Sequence, residues 1–191
     1  MVTSILVLGG VRSGKSRYAE RLLAGASTVR YVAPGPRPDP VADPDWAARV
    51  RLHQQRRPEH WETCETGDVA TAIATAPGAV LVDCLGTWLT DIVDAAGLWE
   101  HRAGATEAVD HARDELVAAL RLAAGPIVLV SNEVGLGVVP AHASGRLFRD
   151  LLGRLNAGVA DACEHVALVV AGRVLDLSGA PTVAQATTHG L

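Results

Sequence analysis

Short apolar runs alternate along the chain with longer stretches in which apolar residues recur at helical spacing. The short runs predict five strands, at Ser4–Leu8, Thr28–Ala33, Ala79–Asp83, Pro126–Asn132 and His165–Ala171. They are apolar throughout rather than alternating with polar residues, which is typical of parallel strands buried on both faces. The longer stretches predict six helices, at Lys15–Ala24, Asp45–Gln55, Val69–Thr75, Thr87–Ala95, Thr106–Ala123 and Ser144–Ala160. This order predicts an α/β fold in which a mostly parallel sheet carries helices on both faces.

The pattern indicates one domain. A chain of 191 residues is long enough for one full hydrophobic core, and we place this domain at residues 1–172. In the tail, residues 173–191, the segment Arg173–Leu177 predicts a short strand, and the small, polar remainder is expected to be poorly ordered. Prolines and a glycine concentrated in Pro34–Pro44 predict a loop there.

Composition narrows the classes of function. The net charge of −4 lacks the basic excess that a nucleic-acid partner usually requires. Cys64, Cys84 and Cys163 are far apart and form no C-x-x-C pair, which argues against a structural zinc site or a disulfide framework. No apolar run approaches the roughly 18 residues of a membrane span, and the first residues lack the pattern of a secretory leader. We therefore expect a cytoplasmic protein without membrane insertion.

The segment between the first strand and the first helix fits the phosphate-binding pattern G-x-x-x-x-G-K-[ST], with the residues Gly9, Gly10, Val11, Arg12, Ser13, Gly14, Lys15 and Ser16. Glycines allow a tight turn in which backbone N–H groups point at phosphate oxygens, and the helix N-terminus adds partial positive charge. Lys15 is expected to reach the β- and γ-phosphates. The alternative is a glycine-rich turn that binds nothing, which the position between strand and helix makes the weaker interpretation. The motif predicts a P-loop NTPase (RecA-like) three-layer sandwich.

A magnesium site is predicted beside this loop. The Ser16 hydroxyl is suited to bind Mg²⁺, and Asp83 closes a buried strand at the position where a second oxygen ligand is expected. The alternative for Asp83 is a carboxylate that caps the following helix. Asp83 also begins a D-x-x-G pattern of GTPase switches, but the later N-K-x-D signature is missing, since Asn132 is followed by Glu133, Val134 and Gly135. A regulatory GTPase is therefore disfavoured.

The helix after the proline-rich loop carries a cluster of cationic residues. Arg49, His53, Arg56 and Arg57 follow one another at spacings that place them on one helix face. Such a face suits a polyphosphate, and a histidine there is a candidate nucleophile. Taken alone, the cluster is also typical of a solvated helix surface.

Several of these motifs occur together in one known family. They are the phosphate loop, the segment Tyr31–Ala33, the pattern of Arg49, His53 and Arg57-Pro58, and the segment Asp83–Leu85. The most specific are Ser131–Pro140, which contains Asn-Glu-Val-Gly-Leu-Gly-Val-Val-Pro, and the following Phe148-Arg149-Asp150. From about Ile5 to Gly172 the chain resembles the bifunctional adenosylcobinamide kinase/adenosylcobinamide-phosphate guanylyltransferases of cobalamin biosynthesis.

The resemblance implies two reactions. A nucleoside triphosphate, GTP or ATP, phosphorylates adenosylcobinamide; a histidine, at the position of His53, then takes GMP from GTP and passes it to adenosylcobinamide phosphate. It also implies Mg²⁺ as cofactor, a homo-oligomer (a trimer), His53 and Lys15 as catalytic residues, and a nucleotide site that adds to the phosphate loop the residues Ala33, Pro34, Gly35, Arg49, Gln54, Arg56, Arg57, Glu65 and Asp83. His60 is the rival nucleophile, for which a core or surface role is favoured.

Two departures from the family pattern affect this expectation. Pro34 stands where the family usually has threonine, so a hydroxyl that could contact the nucleotide is absent from the proline-rich loop. Leu52 stands where some relatives have a second histidine, and if that residue were the nucleophile, guanylylation would fail. The competing hypotheses are a P-loop kinase without guanylyltransferase activity, and a nucleotide-binding regulatory protein.

Overall fold

The computed structural model describes residues 4–186, in which seven strands form one sheet. The strands are β1 (Ser4–Gly9), β2 (Val29–Ala33), β3 (Glu62–Glu65), β4 (Ala79–Asp83), β5 (Ile127–Asn132), β6 (His165–Val170) and β7 (Arg173–Asp176). Their order across the sheet is β3-β2-β4-β5-β1-β6-β7, and all pairs are parallel except β6 with β7. This is the predicted α/β architecture with a mostly parallel sheet.

Seven helices accompany the strands in this part of the chain: α1 (Lys15–Leu22), α2 (Pro44–Arg56), α3 (Val69–Ala74), α4 (Leu85–Ala95), α5 (Arg102–Leu122), α6 (Ala143–Ala160) and, after the last strand, α7 (Val183–Ala186). None of the helices between residues 4 and 186 combines the length and apolar character that a bilayer crossing requires. The six predicted helices are present, and α4 and α5 begin earlier than predicted because Leu85 and Ala105 are buried against the core.

The buried strands place apolar side chains on both faces of the sheet. One core contains Leu6, Val32 and Val82 together with apolar residues of α3, α4, α5 and α6, and the other contains Val7 and Leu81 together with residues of α1. Helix α2 contributes little to either core, since Ala47 is its one buried residue. The helix that carries the cationic cluster is therefore free to present its polar side chains to a ligand.

Two elements were absent from the prediction. Strand β3 has an exposed, polar sequence at the edge of the sheet, so no apolar run marks it. Helix α7 is short and without buried residues. The strand predicted at Arg173–Leu177 is present as β7, antiparallel to β6, whereas the predicted character of the end of the tail falls partly on residues 187–191, outside the described residues.

The parallel strands direct their carboxyl ends to one edge of the sheet. The phosphate loop follows β1, the proline-rich loop follows β2, Asp83 ends β4 and Asn132 ends β5. In open parallel sheets, ligands bind at this edge.

Candidate active site

The phosphate loop joins β1 to α1 in a conformation that suits its sequence. Gly14, the N-cap of α1, has φ +101°, a left-handed conformation that glycine adopts without strain, and Arg12 has φ +57°. A Cβ atom at Gly9 would lie 2.5 Å from Ser13 Oγ and 2.6 Å from the carbonyl oxygen of Val169, so only glycine fits there. Gly10 faces open space, where a phosphate can approach the backbone.

Lys15 begins α1 and is largely buried under this loop. Its Nζ donates to the carbonyl oxygen of Gly10 at 3.3 Å. Burial lowers the pKa of Lys15, although the nearby Cys84 and Asp83 oppose that shift. The ammonium group is thus held inside the cradle, and within the described residues it forms no ion pair with a carboxylate. It therefore remains available to pair with a phosphate.

Asp83 lies beside the loop and joins three elements. Its Oδ2 accepts a hydrogen bond from Tyr31 Oη at 3.1 Å and lies 3.4 Å from His53 Nδ1, and it also receives one from Ser16. Burial opposes its charge, but the hydrogen bonds from His53, Ser16 and Tyr31 outweigh burial and hold the pKa of Asp83 below its ordinary value. The carboxylate is therefore ionised at neutral pH.

Ser16 and Asp83 fit the oxygen ligands that Mg²⁺ prefers, one hydroxyl beside one ionised carboxylate. In residues 4–186 no three His, Cys, Asp or Glu side chains are placed to hold a metal ion together. A cation at this pair would therefore depend on nucleotide oxygens and water for its remaining ligands.

His53 lies on the last turns of α2, between two cavities. One, of about 710 Å³, is lined by residues 11–17 of the phosphate loop together with Arg49, His53 and Arg56. The other, of about 200 Å³, is lined by His53, Asp83 and residues of five neighbouring elements, β2, β3, α4, β5 and α6. The imidazole thus faces the phosphate cradle on one side and a second binding space on the other.

The hydrogen bonds around His53 define which ring nitrogen is free. Burial raises the pKa of Tyr31 well above its ordinary value, so its hydroxyl keeps its proton, and that proton is donated to Asp83. The Tyr31 oxygen, 3.4 Å from His53 Nδ1, can then only accept. A neutral His53 consequently carries its proton on Nδ1 and leaves Nε2 unprotonated for attack on a substrate.

The three predicted arginines of α2 take different roles. Arg49 lines both cavities, with its guanidinium 6.0 Å from the ring centre of Trp46. Arg56 lines the phosphate cavity and pairs with Glu20 at 3.0 Å. Arg57 stacks on the ring of Tyr31 at 3.3 Å. The imidazole itself lies 3.4 Å from the carboxylate of Asp83, whereas Arg56 and Arg57 are engaged by Glu20 and Tyr31.

Most of the other predicted residues lie at the second cavity. Ala33, Gly35 and Glu65 line it. Pro34 is buried and Gln54 is exposed, and neither lines the two cavities. His60 is exposed and away from both, as a surface role requires.

Several residues that line the second cavity were not predicted as site residues, among them Tyr31, Trp46, Asn132 and Phe148. Tyr31 was quoted only as part of a motif, and its role depends on the adjacency of β2 and β4. Trp46 lines the second cavity. A signal for it exists in the sequence, since Trp46, Arg49 and His53 follow at i, i+3 and i+7, on one face of a helix.

Comparison with known proteins agrees with this geometry. A family model described as cobinamide kinase / cobinamide phosphate guanyltransferase matches residues 5–177. The chain belongs to this family. The bifunctional adenosylcobalamin biosynthesis proteins CobU of Salmonella typhimurium and Escherichia coli are each 39% identical to it over 178 residues, which is 88% of this chain and 96% of each relative. CobP of Pseudomonas aeruginosa is 39% identical over 181 residues, 92% of this chain and 98% of the relative.

Among solved structures, a prototypical ATPase from a type III secretion system has a TM-score of 0.54 at 12% identity; the match covers 98% of this chain and 53% of the ATPase. At that identity the likeness concerns the fold alone. It agrees with the P-loop NTPase architecture expected of a cobinamide kinase / cobinamide phosphate guanyltransferase.

Proposed function

We propose that this member of the cobinamide kinase / cobinamide phosphate guanyltransferase family performs both of its reactions at the edge of the sheet where His53 meets the phosphate loop. The observation that carries the proposal is the position of His53, which borders the phosphate cavity and is hydrogen-bonded on Nδ1. A P-loop kinase that transfers phosphate to a substrate hydroxyl does not need a histidine oriented in this way.

In the kinase reaction, the hydroxyl of adenosylcobinamide attacks the γ-phosphorus of a nucleoside triphosphate. The bond from the γ-phosphorus to its bridging oxygen breaks, the nucleoside diphosphate leaves, and the hydroxyl proton passes to solvent. The amides of the loop and Lys15 hold the phosphates and offset their charge. Ser16 and Asp83 would hold Mg²⁺, which neutralises negative charge on the phosphates when bound.

In the guanylyltransferase reaction, Nε2 of His53 attacks the α-phosphorus of GTP. A nitrogen–phosphorus bond forms and pyrophosphate leaves. A phosphate oxygen of adenosylcobinamide phosphate then attacks the same phosphorus, the nitrogen–phosphorus bond breaks, and adenosylcobinamide-GDP is released with His53 regenerated. Asp83 stabilises the positive charge that develops on the imidazole during the attack.

The test separates the two reactions with one substitution. We expect His53→Ala to retain kinase activity and to lose both the uptake of label from α-labelled GTP and the transfer to adenosylcobinamide phosphate. The label on the wild-type protein should be acid-labile and base-stable, as a phosphoramidate is.

His60→Ala is the matched control, because it removes an exposed histidine seven residues away that lines neither cavity; it should leave the label in place. If His53→Ala still took up label, the nucleophile would lie elsewhere, with His60 the next candidate. If the wild type phosphorylated the acceptor but never took up label, the protein would be a kinase only.

Two further expectations complete the proposal. A homo-oligomer, a trimer by the resemblance to the family, is checked by light scattering on the purified protein. A cytoplasmic location is checked by fractionation of cells that express the chain.

A further inference from the structure

The loop between β5 and α6, residues 133–142 and here called the apolar loop, exposes a group of hydrophobic side chains. Leu136, Val138 and Val139 are 88%, 94% and 64% exposed. Single exposed apolar residues are common on protein surfaces, but several within four residues mark a site of interaction.

Hydrogen bonds from α6 hold the backbone of this loop. The Arg149 guanidinium donates to the carbonyl oxygens of Gly135 at 2.6 Å and of Gly137 at 3.0 Å. Arg146 donates to the carbonyl oxygens of residues 140 and 141 at 3.1 and 2.6 Å. The apolar side chains are therefore held outward rather than collapsed on the core, and a ligand that contacts them finds the loop already ordered.

Residues on either side of the apolar loop line the cavity beside His53. The residue that precedes the loop, Asn132, lines that cavity. Phe148, on the helix that follows the loop, lines the same cavity and also an open groove of about 1030 Å³, to which Trp99 contributes. A ligand that reaches His53 from this groove would therefore pass over Phe148, close to the helix that follows the loop.

Size indicates which ligand needs this surface. The cavity beside His53 is about 200 Å³, below the roughly 300–1,000 Å³ of pockets that enclose drug-sized molecules. The macrocycle of a cobinamide is larger than such a molecule, so only its reacting arm can enter. The methyl-rich edges of the macrocycle suit an apolar surface.

We propose that Leu136, Val138 and Val139, together with Phe148 and Trp99, form the surface that supports the corrinoid macrocycle of the acceptor in both reactions. This inference rests on the proposed function, which supplies the identity of the acceptor. The reacting arm extends from this surface into the cavity beside His53.

The test uses the double variant Leu136→Ser/Val138→Ser, in which two exposed side chains become polar without disturbing the core. We expect about a tenfold rise in the KM for adenosylcobinamide in the kinase reaction and for adenosylcobinamide phosphate in the transfer reaction, a change equivalent to about 1.4 kcal/mol. The rate at which α-labelled GTP alone labels His53 should be unchanged, because no acceptor takes part in that step.

Leu122→Ser is the matched control. Leu122 is 84% exposed at the end of α5, just before β5 begins and thus at the opposite edge of the sheet, so its loss should change neither KM. Light scattering on the double variant and the wild type completes the experiment.

Unchanged KM values in the double variant, with an active wild type, would overturn this inference and leave the proposed function intact. A change of oligomeric state in the double variant would also overturn it, since a second copy of the chain would then occupy the surface. If the wild type phosphorylated no cobinamide, the proposed function would fail, and this inference with it.

Discussion

The carboxylate of Asp83 lies between Ser16, which would hold Mg²⁺ in the proposed kinase reaction, and His53, the proposed nucleophile of guanylyl transfer. On one side it receives a hydrogen bond from Ser16, and on the other it contacts His53 and Tyr31. A carboxylate in this position can hold a cation for phosphoryl transfer and orient an imidazole for guanylyl transfer. Its substitution should therefore affect both reactions.

We expect Asp83→Asn to slow phosphorylation and His53 labelling about a hundredfold or more, since a charge that stabilises both transition states is removed. The Mg²⁺ concentration needed for half-maximal kinase activity should rise, because one charged ligand is lost. The measurement is a Mg²⁺ titration of both reactions. An unchanged titration would exclude Asp83 from the metal site.

Tyr31→Phe is the companion variant for this prediction. It removes the hydroxyl that donates to Asp83 but keeps the ring on which Arg57 stacks. Hydrogen bonds to charged groups contribute about 1.5–3 kcal/mol, so labelling of His53 should slow about tenfold or more. The kinase reaction and its Mg²⁺ dependence should change far less, and an equal loss in both reactions would contradict a role in positioning the imidazole.

At the scale of single residues, the sequence predicted those candidate site residues that belong to a recognisable motif. Lys15, Ser16, Asp83 and His53 were all predicted, and the structure brings them to one edge of the sheet. The contact of Tyr31 with His53 could not be predicted, because it depends on a helix that folds back over β2. The partners of the arginines were likewise set by distant residues, such as Glu20 for Arg56.

At the scale of elements, burial decides what the sequence reveals. Strands β1, β2, β4, β5 and β6 are covered by helices on their faces and read as apolar runs, so their bounds were predicted to within one or two residues. Strand β3 pairs along one side only and is exposed, so its polar sequence resembles a loop. The order of the strands in the sheet depends on pairing between segments that are distant in the sequence, and the local pattern of apolar residues does not indicate it.

The junction of β1 with the phosphate loop gives a test at this scale. We expect Gly9→Ala to lower the free energy of unfolding by about 1–3 kcal/mol, the usual cost of overpacking. The added Cβ would meet the backbone carbonyl of Val169 at 2.6 Å, and backbone in a paired strand cannot move aside cheaply. Urea denaturation monitored by tryptophan fluorescence measures the effect.

Gly10→Ala is the matched control for stability, because a Cβ at Gly10 would have no atom within 4 Å. Its free energy of unfolding should remain close to that of the wild type. If the two variants unfolded at the same urea concentration, the close approach of β1 to β6 at Gly9 would not explain the need for glycine.

At the scale of the whole molecule, the site collects residues from both halves of the sequence. The phosphate loop, α2 and Asp83 come from the first half, whereas Asn132 and Phe148 come from the second. A nucleotide at this edge would lie beyond the ends of β1, β5 and β4, which are neighbouring strands near the middle of the sheet. Binding should therefore stabilise the folded molecule as a unit.

We expect GTP with Mg²⁺, at about a hundred times its Kd, to stabilise the wild-type protein by about 2.7 kcal/mol, which corresponds to a rise in Tm of about 5–10 °C for a chain of this size.

Lys15→Ala should abolish this rise and the kinase activity, because the charge that faces the phosphates is lost. It should not lower the Tm of the protein without nucleotide. Burial lowers the pKa of Lys15, which means that the folded protein without phosphate disfavours the charged form. Differential scanning fluorimetry with and without nucleotide measures both values. A Lys15→Ala protein that kept the full nucleotide-dependent rise would exclude residues 9–16 as the site that binds the phosphates.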